Sequence, residues 1–503
     1  MMKVSALLLR FAAIAGLLYV ALFVYVAISR ISYPYELEWM EGGMLDQIGR
    51  VLTGLPLYTH PSVSYVPFIY PPLYTYLSAG CSLLIGAGFL PLRLISLCAT
   101  LGCFVVLYMF ARRETGSAAA GAIAAGLFAA MFEICGSWFD IARIDSLFLL
   151  FILLGAYLLR FRTGARGIII SGLMYVLALF TKQSANVTII AFTIFLLLTV
   201  RDKSRWYFPA VVILAGGGAV VLLQWLNSGW YFYYVFLLPL KHASNYAMIE
   251  YFFLRDIGLR LLPGCAVALA GLAAMYRHRT KPVPLFYVFL TAGMAVTALV
   301  SRIHRGGYVN VLMPVCAVIA LMAGIACGTF AVRRKHRGEE PESDPAPPSR
   351  LAGVLAFAIP AFCIFQFSLL WYSPVKQIPS PADRRGGDAL VRTVAAIPGE
   401  VYLPFHGHLG PLAGKSTFAH AMAIDDILYS SDDRMRNALM SDISAAIVAR
   451  KFSAIISDQP FFSTPISENY RYAGRIFDTA DVFWPVVGYK VRPTAIFLAR
   501  KGD

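Results

Sequence analysis

The chain has 503 residues, of which 58% are hydrophobic and only 14% charged, with a mean hydropathy of +0.66. A soluble domain carries about 25% charged residues, so one large water-soluble globule is excluded and the chain belongs in a membrane. The net charge of +15 is not a nucleic-acid signature: up to Pro374 there are 28 Lys and Arg against 15 Asp and Glu, and from Val375 onward 15 against 13. The excess therefore lies in short basic loops between apolar runs, as in cytoplasmic loops.

The first 30 residues open with Lys3 and Arg10 and run apolar to Ile28. No small-residue cleavage site precedes a polar region, so they read as the first spanning helix and not as a removed signal. A span needs about 20 mostly apolar residues. Spans are predicted at 5-29, 92-111, 117-135, 146-160, 167-180, 186-200, 206-226, 256-276, 283-300, 308-330 and 351-371. The basic loops at Arg112-Arg113, Arg160 to Arg166, Arg201 to Arg205, Tyr276 to Lys281 and Arg333 to Arg350 are then cytoplasmic.

The apolar stretch Pro72 to Gly88 begins with two prolines and is short. A full crossing there would invert every later basic loop, so it is expected to dip into the membrane or lie along its surface. Parity then puts the N-terminus in the cytoplasm, and residues 30-71, 136-146 and the tail outside. The aromatic link Trp230 to Asp256 is too interrupted for a clean span and suits a membrane-interface belt. The Pro-rich, acidic GEEPESDPAPPS marks 335-350 as a disordered cytoplasmic loop.

The expected fold class is a polytopic α-helical membrane protein with a membrane domain over 1-374 and a small extracytoplasmic α/β domain over 375-503. In the tail, strands are predicted at Val401 to Phe405, Ala454 to Ser457 and Thr494 to Ala499, and helices at Asp388 to Ala396 and Arg434 to Arg450. Gly414-Lys415-Ser416 lacks the earlier glycine of a phosphate loop. All eight cysteines lie in apolar runs, which argues against a disulfide framework.

Glu36, Glu38, Glu41 and Asp46 crowd the first outer loop directly after a spanning helix. Carboxylates there are costly unless solvated, paired or bound to cations, which leaves a solvated helix cap or a functional site. Glu38 and Glu41 would share one face of a continuing helix. The second outer loop holds Asp140, Arg143 and Asp145, either as an Arg-Asp ion pair with Asp145 or Ser146 as N-cap, or as a catalytic or metal group. Glu133, one turn earlier, is expected to be buried against a cation or protonated.

Cations also fall on the outer side, against the positive-inside tendency: Lys182 beside Gln183, and Arg302, His304 and Arg305 before Tyr308 and Asn310. They suit lipid headgroups or a phosphate-binding site, with Gly306-Gly307 letting backbone amides approach. In the tail, His406 and His408 would share one face of a strand, with His420 and Asp425-Asp426 as further N/O ligands for a metal or as a surface cluster.

The series ELEWMEGG, TGLPLY, YPPLYTYL, PLRLIS, ARIDSLF and TKQSA, with a weaker echo at HRGGYVNVLMP, resembles the GT-C superfamily of polyprenyl-phosphate-sugar-dependent membrane glycosyltransferases. The protein O-mannosyltransferases and the lipid A aminoarabinose transferase are members. The resemblance covers roughly residues 30-190. It implies that the first-loop acid, Glu41 or Glu38, is a general base or helps bind a metal, and that Asp145 is the second-loop acid with Arg143 beside it. A family lysine before Pro-Pro is replaced by Tyr70, with Lys182 and Arg305 as chemical substitutes.

The implied reaction moves a sugar from a polyprenyl-phosphate donor to a lipid, glycan or protein hydroxyl at the outer face, with inversion. Membrane lipids are partners and nucleic acid is not; the one cofactor left open is a divalent cation. The implied location is the bacterial inner membrane. The alternative is a transporter or flippase of a lipid-linked sugar, and a third is an envelope assembly protein. A transporter would carry charge in mid-helix and an inverted pair of broken helices, which the sequence does not display.

Overall fold

The computed structural model describes residues 2-162, 164-332, 350-479 and 481-500. The acidic, Pro-rich stretch at 338-349 falls outside them. Helices form at every predicted span. Among the described residues, six helices are long and apolar enough to cross a membrane: Lys3–Arg30, Phe89–Thr115, Lys203–Leu226, Ala247–Tyr276, Pro282–Ile303 and Val309–Phe330.

The helix Val309–Phe330 is wholly enclosed by its neighbours. Small residues allow this closeness: a Cβ on Gly324 of this helix would lie 2.6 Å from the Ala120 carbonyl oxygen. Close helix approach of this kind gains dispersion contacts that lipid cannot supply. The helix Leu73–Ile85 has only 13 residues, too short for a crossing at 1.5 Å per residue.

Several expectations shift. The helix expected from 256 begins at Ala247, because the charges that interrupt its apolar run are accommodated: Asp256 accepts from Arg302 at 2.8 Å and Arg255 lies over Tyr251. Residues Trp230–Leu240 of the aromatic link are helical. Glu133 is exposed and not buried, since it falls in the turn after Ala118–Ala130.

The tail forms a four-stranded sheet in the order β1-β2-β4-β3, with β1 Val401–Tyr402, β2 Ala454–Ser457, β3 Tyr470–Arg475 and β4 Ala495–Ala499. β1 runs parallel to β2, and β4 pairs antiparallel with both β2 and β3. The polar run YRYAGR of β3 was not predicted; it is an edge strand whose side chains are mostly exposed, so it carries no apolar alternation. Helices Pro381–Ala396 and Asp433–Val448 flank the sheet. Its apolar core is continuous with that of the first outer loop: Trp39, Met44 and Ile48 pack in one cluster with Tyr402, Phe405, Phe418 and Ile424.

Candidate active site

The first-loop acids are separated by their partners. The second helix is Glu41–Leu52, so Glu38 precedes it and the two carboxylates do not share a helix face. Glu41 turns inward and is fully buried. It accepts from Arg93 Nε at 3.0 Å and Nη2 at 2.7 Å, and from the backbone N–H of Leu37 and Ala142, each at 2.6 Å. Asp140 is taken by Arg30, at 2.8 and 2.6 Å, and Asp145 by Lys182 at 2.7 Å. The expected pairing of Arg143 with these acids therefore does not form. Neither Asp145 nor Ser146 caps the helix Asp145–Phe161: Ile144 stands at the N-cap, without a side-chain bond.

Glu38 is different. Among the described residues its carboxylate accepts one hydrogen bond, from the Met40 backbone N–H at 3.1 Å, and it lines a cavity of about 610 Å³. Burial pushes its carboxyl up to about 8, against the opposing pull of Arg143. Gly488 from the tail backs it so closely that a Cβ there would lie 2.4 Å from Glu38 Cγ.

The same cavity is lined by Tyr70, Arg143, Lys182, Gln183, His304, Arg305, Tyr308 and Asn310. Glu38 and these eight residues, all singled out from the sequence, thus meet in one place. Glu41 lies outside it, and Asp145 sits behind Lys182 beside a separate void of about 10 Å³. Arg143 donates from Nη2 to the Tyr70 hydroxyl at 2.8 Å and lies over the rings of Trp138 and Tyr70, at 4.9 and 5.1 Å. Its Nε and Nη1 are buried without a partner. Gln183 donates to the Ile69 carbonyl at 3.1 Å. Arg305 lies over the Tyr429 ring at 3.8 Å, whereas Arg302 is spent on Asp256. Val187, Val235, Phe236, Leu240 and Val300 make an apolar wall, and Met422, Asp426 and Tyr489 bring the tail into the lining.

His406 and His408 do not form a surface cluster on a strand. Both are buried in the turn after β1, against the first outer loop. His406 Nδ1 meets Glu36, and its Nε2 lies 2.7 Å from Asp458 Oδ2. Burial opposes a charge on this ring, but Asp458 and Glu36 outweigh it and push His406 up to about 10. Burial likewise opposes charge on Glu36, yet His408 and His406 bring it down to about 2. His420 stacks on Trp39 at 5.3 Å, and Asp426 faces the cavity instead of joining the histidines. No group of three or more His, Cys, Asp or Glu among the described residues is arranged to hold a metal ion, so the donors for a divalent cation are not gathered.

Arg93, Arg30 and the His406 clamp were missed from the sequence. An arginine inside an apolar run, as in PLRLIS, is costly without a partner and was the available signal.

Residues 70-226 match the dolichyl-phosphate-mannose-protein mannosyltransferase family. No curated protein matches the chain in sequence. Among solved structures, ArnT from Cupriavidus metallidurans bound to undecaprenyl phosphate superimposes with a TM-score of 0.58 at 14% identity, over 96% of this chain and 97% of that one. The oligosaccharyltransferase AglB from Archaeoglobus fulgidus, in complex with an inhibitory peptide and a dolichol-phosphate, does so with a TM-score of 0.52 at 12% identity, over 90% of this chain and 69% of that one. At such identities the likeness is one of fold. The chain has the GT-C fold that its sequence resemblance implied.

Proposed function

We propose that the protein is an integral membrane glycosyltransferase that moves a sugar from a polyprenyl-phosphate donor to an acceptor hydroxyl at the outer face of the membrane, inverting the anomeric centre. The N-terminus is cytoplasmic and the tail extracytoplasmic in this reading, because the loops at 112-113, 160-166 and 201-205 carry the basic excess. ArnT and AglB, which share the fold, are each seen with a polyprenyl or dolichol phosphate.

One observation carries the reading. Glu36, Glu41, Asp140 and Asp145 pair with cations or imidazolium, whereas Glu38 has no such bond among the described residues and lines the same cavity as Arg143, whose Nε and Nη1 are buried without a hydrogen-bond partner. A carboxylate free to act as base and an anion-binding group in one cavity are what glycosyl transfer from a lipid phosphate needs.

Glu38 takes the proton of the acceptor hydroxyl as that oxygen bonds to the anomeric carbon. The bond from that carbon to the phosphate oxygen breaks, and the polyprenyl phosphate leaves with the electron pair and one further negative charge. Arg143, through its unpartnered Nε and Nη1, and Arg305 stabilise that charge. Lys182 lines the cavity but is half neutralised by Asp145, so its part is to hold Asp145 and the cavity wall. The apolar wall takes the first isoprene units and sets the depth of the phosphate. Tyr70, held by Arg143, braces the guanidinium in the place where the family carries a lysine.

The test is transfer by the purified full-length chain in proteoliposomes, with radiolabelled polyprenyl-phosphate sugars and candidate acceptors. A glycosylated product lost in Glu38→Gln supports the assignment. Movement of labelled lipid across the bilayer with no product would replace it with the transporter.

A further inference from the structure

The link between the helical residues at 230-240 and 247-276 is stitched on both sides. Asn245 N–H donates to the Ile303 carbonyl at 2.7 Å, and Arg305 N–H to that of Ala243 at 3.3 Å. On the other side, Ser431 N–H donates to the Lys241 carbonyl at 3.0 Å, and His242 bridges to Ser430. His242 is thereby fixed between the cavity turn and the tail.

Its hydrogen bonds settle its protonation pattern. His242 Nε2 lies 2.6 Å from the Asp426 carbonyl oxygen, which can only accept, so Nε2 carries the hydrogen. Burial lowers the basicity of this ring, and a neutral ring with its hydrogen on Nε2 offers a lone pair at Nδ1. That lone pair faces His304 Nε2 at 3.3 Å. The Pro239 carbonyl, a second acceptor, lies 3.3 Å from the same His304 nitrogen. Two acceptors converge on His304 Nε2, so that nitrogen is the donor, and in the neutral ring Nδ1 is left as the lone pair. No described residue bonds His304 Nδ1, and His304 lines the cavity. The charged groups facing the pair are Arg305 from the same turn and Asp425 and Asp426 from the tail helix.

We propose that His242 is a positioning residue that locks His304 in the Nε2–H tautomer, so that His304 Nδ1 accepts a hydrogen bond from a carbohydrate hydroxyl in the cavity. His304 then recognises sugar and does not grip phosphate as a cation, contrary to the expectation from its place among Arg302 and Arg305. The identity of the carbohydrate ligand rests on the glycosyltransferase reading; the tautomer does not.

Two measurements on the full-length protein test this. In ¹⁵N-histidine spectra of the detergent-solubilised chain, with signals assigned by their loss in His242→Gln and His304→Asn, both rings should be neutral with hydrogen on Nε2 at pH 7. A doubly protonated His304, or one with hydrogen on Nδ1, overturns the proposal. This readout needs no substrate, so it holds even if no transfer is found and the glycosyltransferase reading fails by itself.

In the transfer assay, His304→Asn places an acceptor oxygen close to where Nδ1 sits and should stay within about 10-fold of wild type, whereas His304→Lys should lose about 100-fold, as expected when a hydrogen-bond acceptor is replaced by a charged donor. The opposite order, with Lys tolerated and Asn inactive, would make His304 a phosphate-binding cation. His242→Gln should release His304 into a mixture of tautomers; an unchanged His304 tautomer in that variant removes the positioning role.

Discussion

Arg93 and Glu41 form a closed, two-pronged pair, with Nε and Nη2 at 3.0 and 2.7 Å from the two carboxylate oxygens and no solvent exposure on either side chain. Arg93 also donates to the Tyr33 and Tyr35 carbonyls, each at 2.6 Å. The pair thus pins the first outer loop to the helix Phe89–Thr115 and leaves Glu41 no lone pair for a substrate proton. Glu38 is the free carboxylate beside it.

Two substitutions should therefore part company. Glu41→Gln leaves a buried guanidinium without its counter-charge and should cost about 3–5 kcal/mol of stability, read as a lowered melting temperature of the purified protein. Glu38→Gln should leave melting unchanged or slightly raised and reduce kcat by about 10²- to 10⁴-fold, the usual share of a general base. Normal transfer in Glu38→Gln would remove Glu38 from the reaction.

Because burial raises the Glu38 carboxyl to about 8, its base form is a minority at neutral pH. The kcat/KM of transfer should climb with pH along a limb that levels near 8, since the base must be ionised to take the acceptor proton. A limb levelling in the ordinary carboxylate range would show that another group is titrating.

Arg143 lines the cavity, and its Nε and Nη1 are buried with no partner among the described residues. Arg143→Gln should weaken binding of a polyprenyl phosphate by about 10- to 100-fold, the worth of charge-assisted hydrogen bonds of about 1.5–3 kcal/mol. Titration of the detergent-solubilised protein with short-chain polyprenyl phosphate measures it, and unchanged affinity would place the phosphate elsewhere.

The Glu36–His406–Asp458 clamp holds the tail on the first loop. His406 is raised from 6.5 to about 10, so its stabilisation is complete below about 6.5 and is lost as pH rises toward 10. Glu36, lowered from 4.5 to about 2, stabilises above 4.5 and fails as pH falls toward 2. Asp46, raised by burial to about 8, adds to the alkaline loss. Docking of the tail should be tightest at pH 4.5–6.5 and weaken steadily above it, seen as faster proteolysis of the link near 372-380. His406→Gln should flatten that alkaline slope; an unaltered slope would mean the clamp does not govern docking.

Gly488 sits at φ +73° with Glu38 directly behind its missing side chain. Gly488→Val should displace the Glu38 carboxylate and reduce kcat by at least about 10-fold while leaving polyprenyl phosphate affinity unchanged, because a small misplacement of a reacting group suffices for such a loss. Wild-type kcat in that variant would mean that Glu38 is not positioned by the tail.

Hydropathy and charge are local properties, and what depends on them was legible in the sequence: the positions of the apolar helices, the short segment Leu73–Ile85, three of the four tail strands, and a series of motifs that resembles those of the GT-C enzymes. The residues that line the cavity were legible as types, since cations at the ends of apolar runs are conspicuous. Which carboxylate is free was not. That depends on which cation reaches each acid, and those cations lie far away in the chain: Arg93 is 52 residues from Glu41, Arg30 is 110 from Asp140, and His406 is 370 from Glu36. Only the tertiary structure brings them together. By neutralising Glu41, Asp140 and Glu36 it leaves Glu38 as the unpaired first-loop carboxylate that lines the cavity, and by folding the tail over the first loop it turns histidines expected at the surface into a buried clamp.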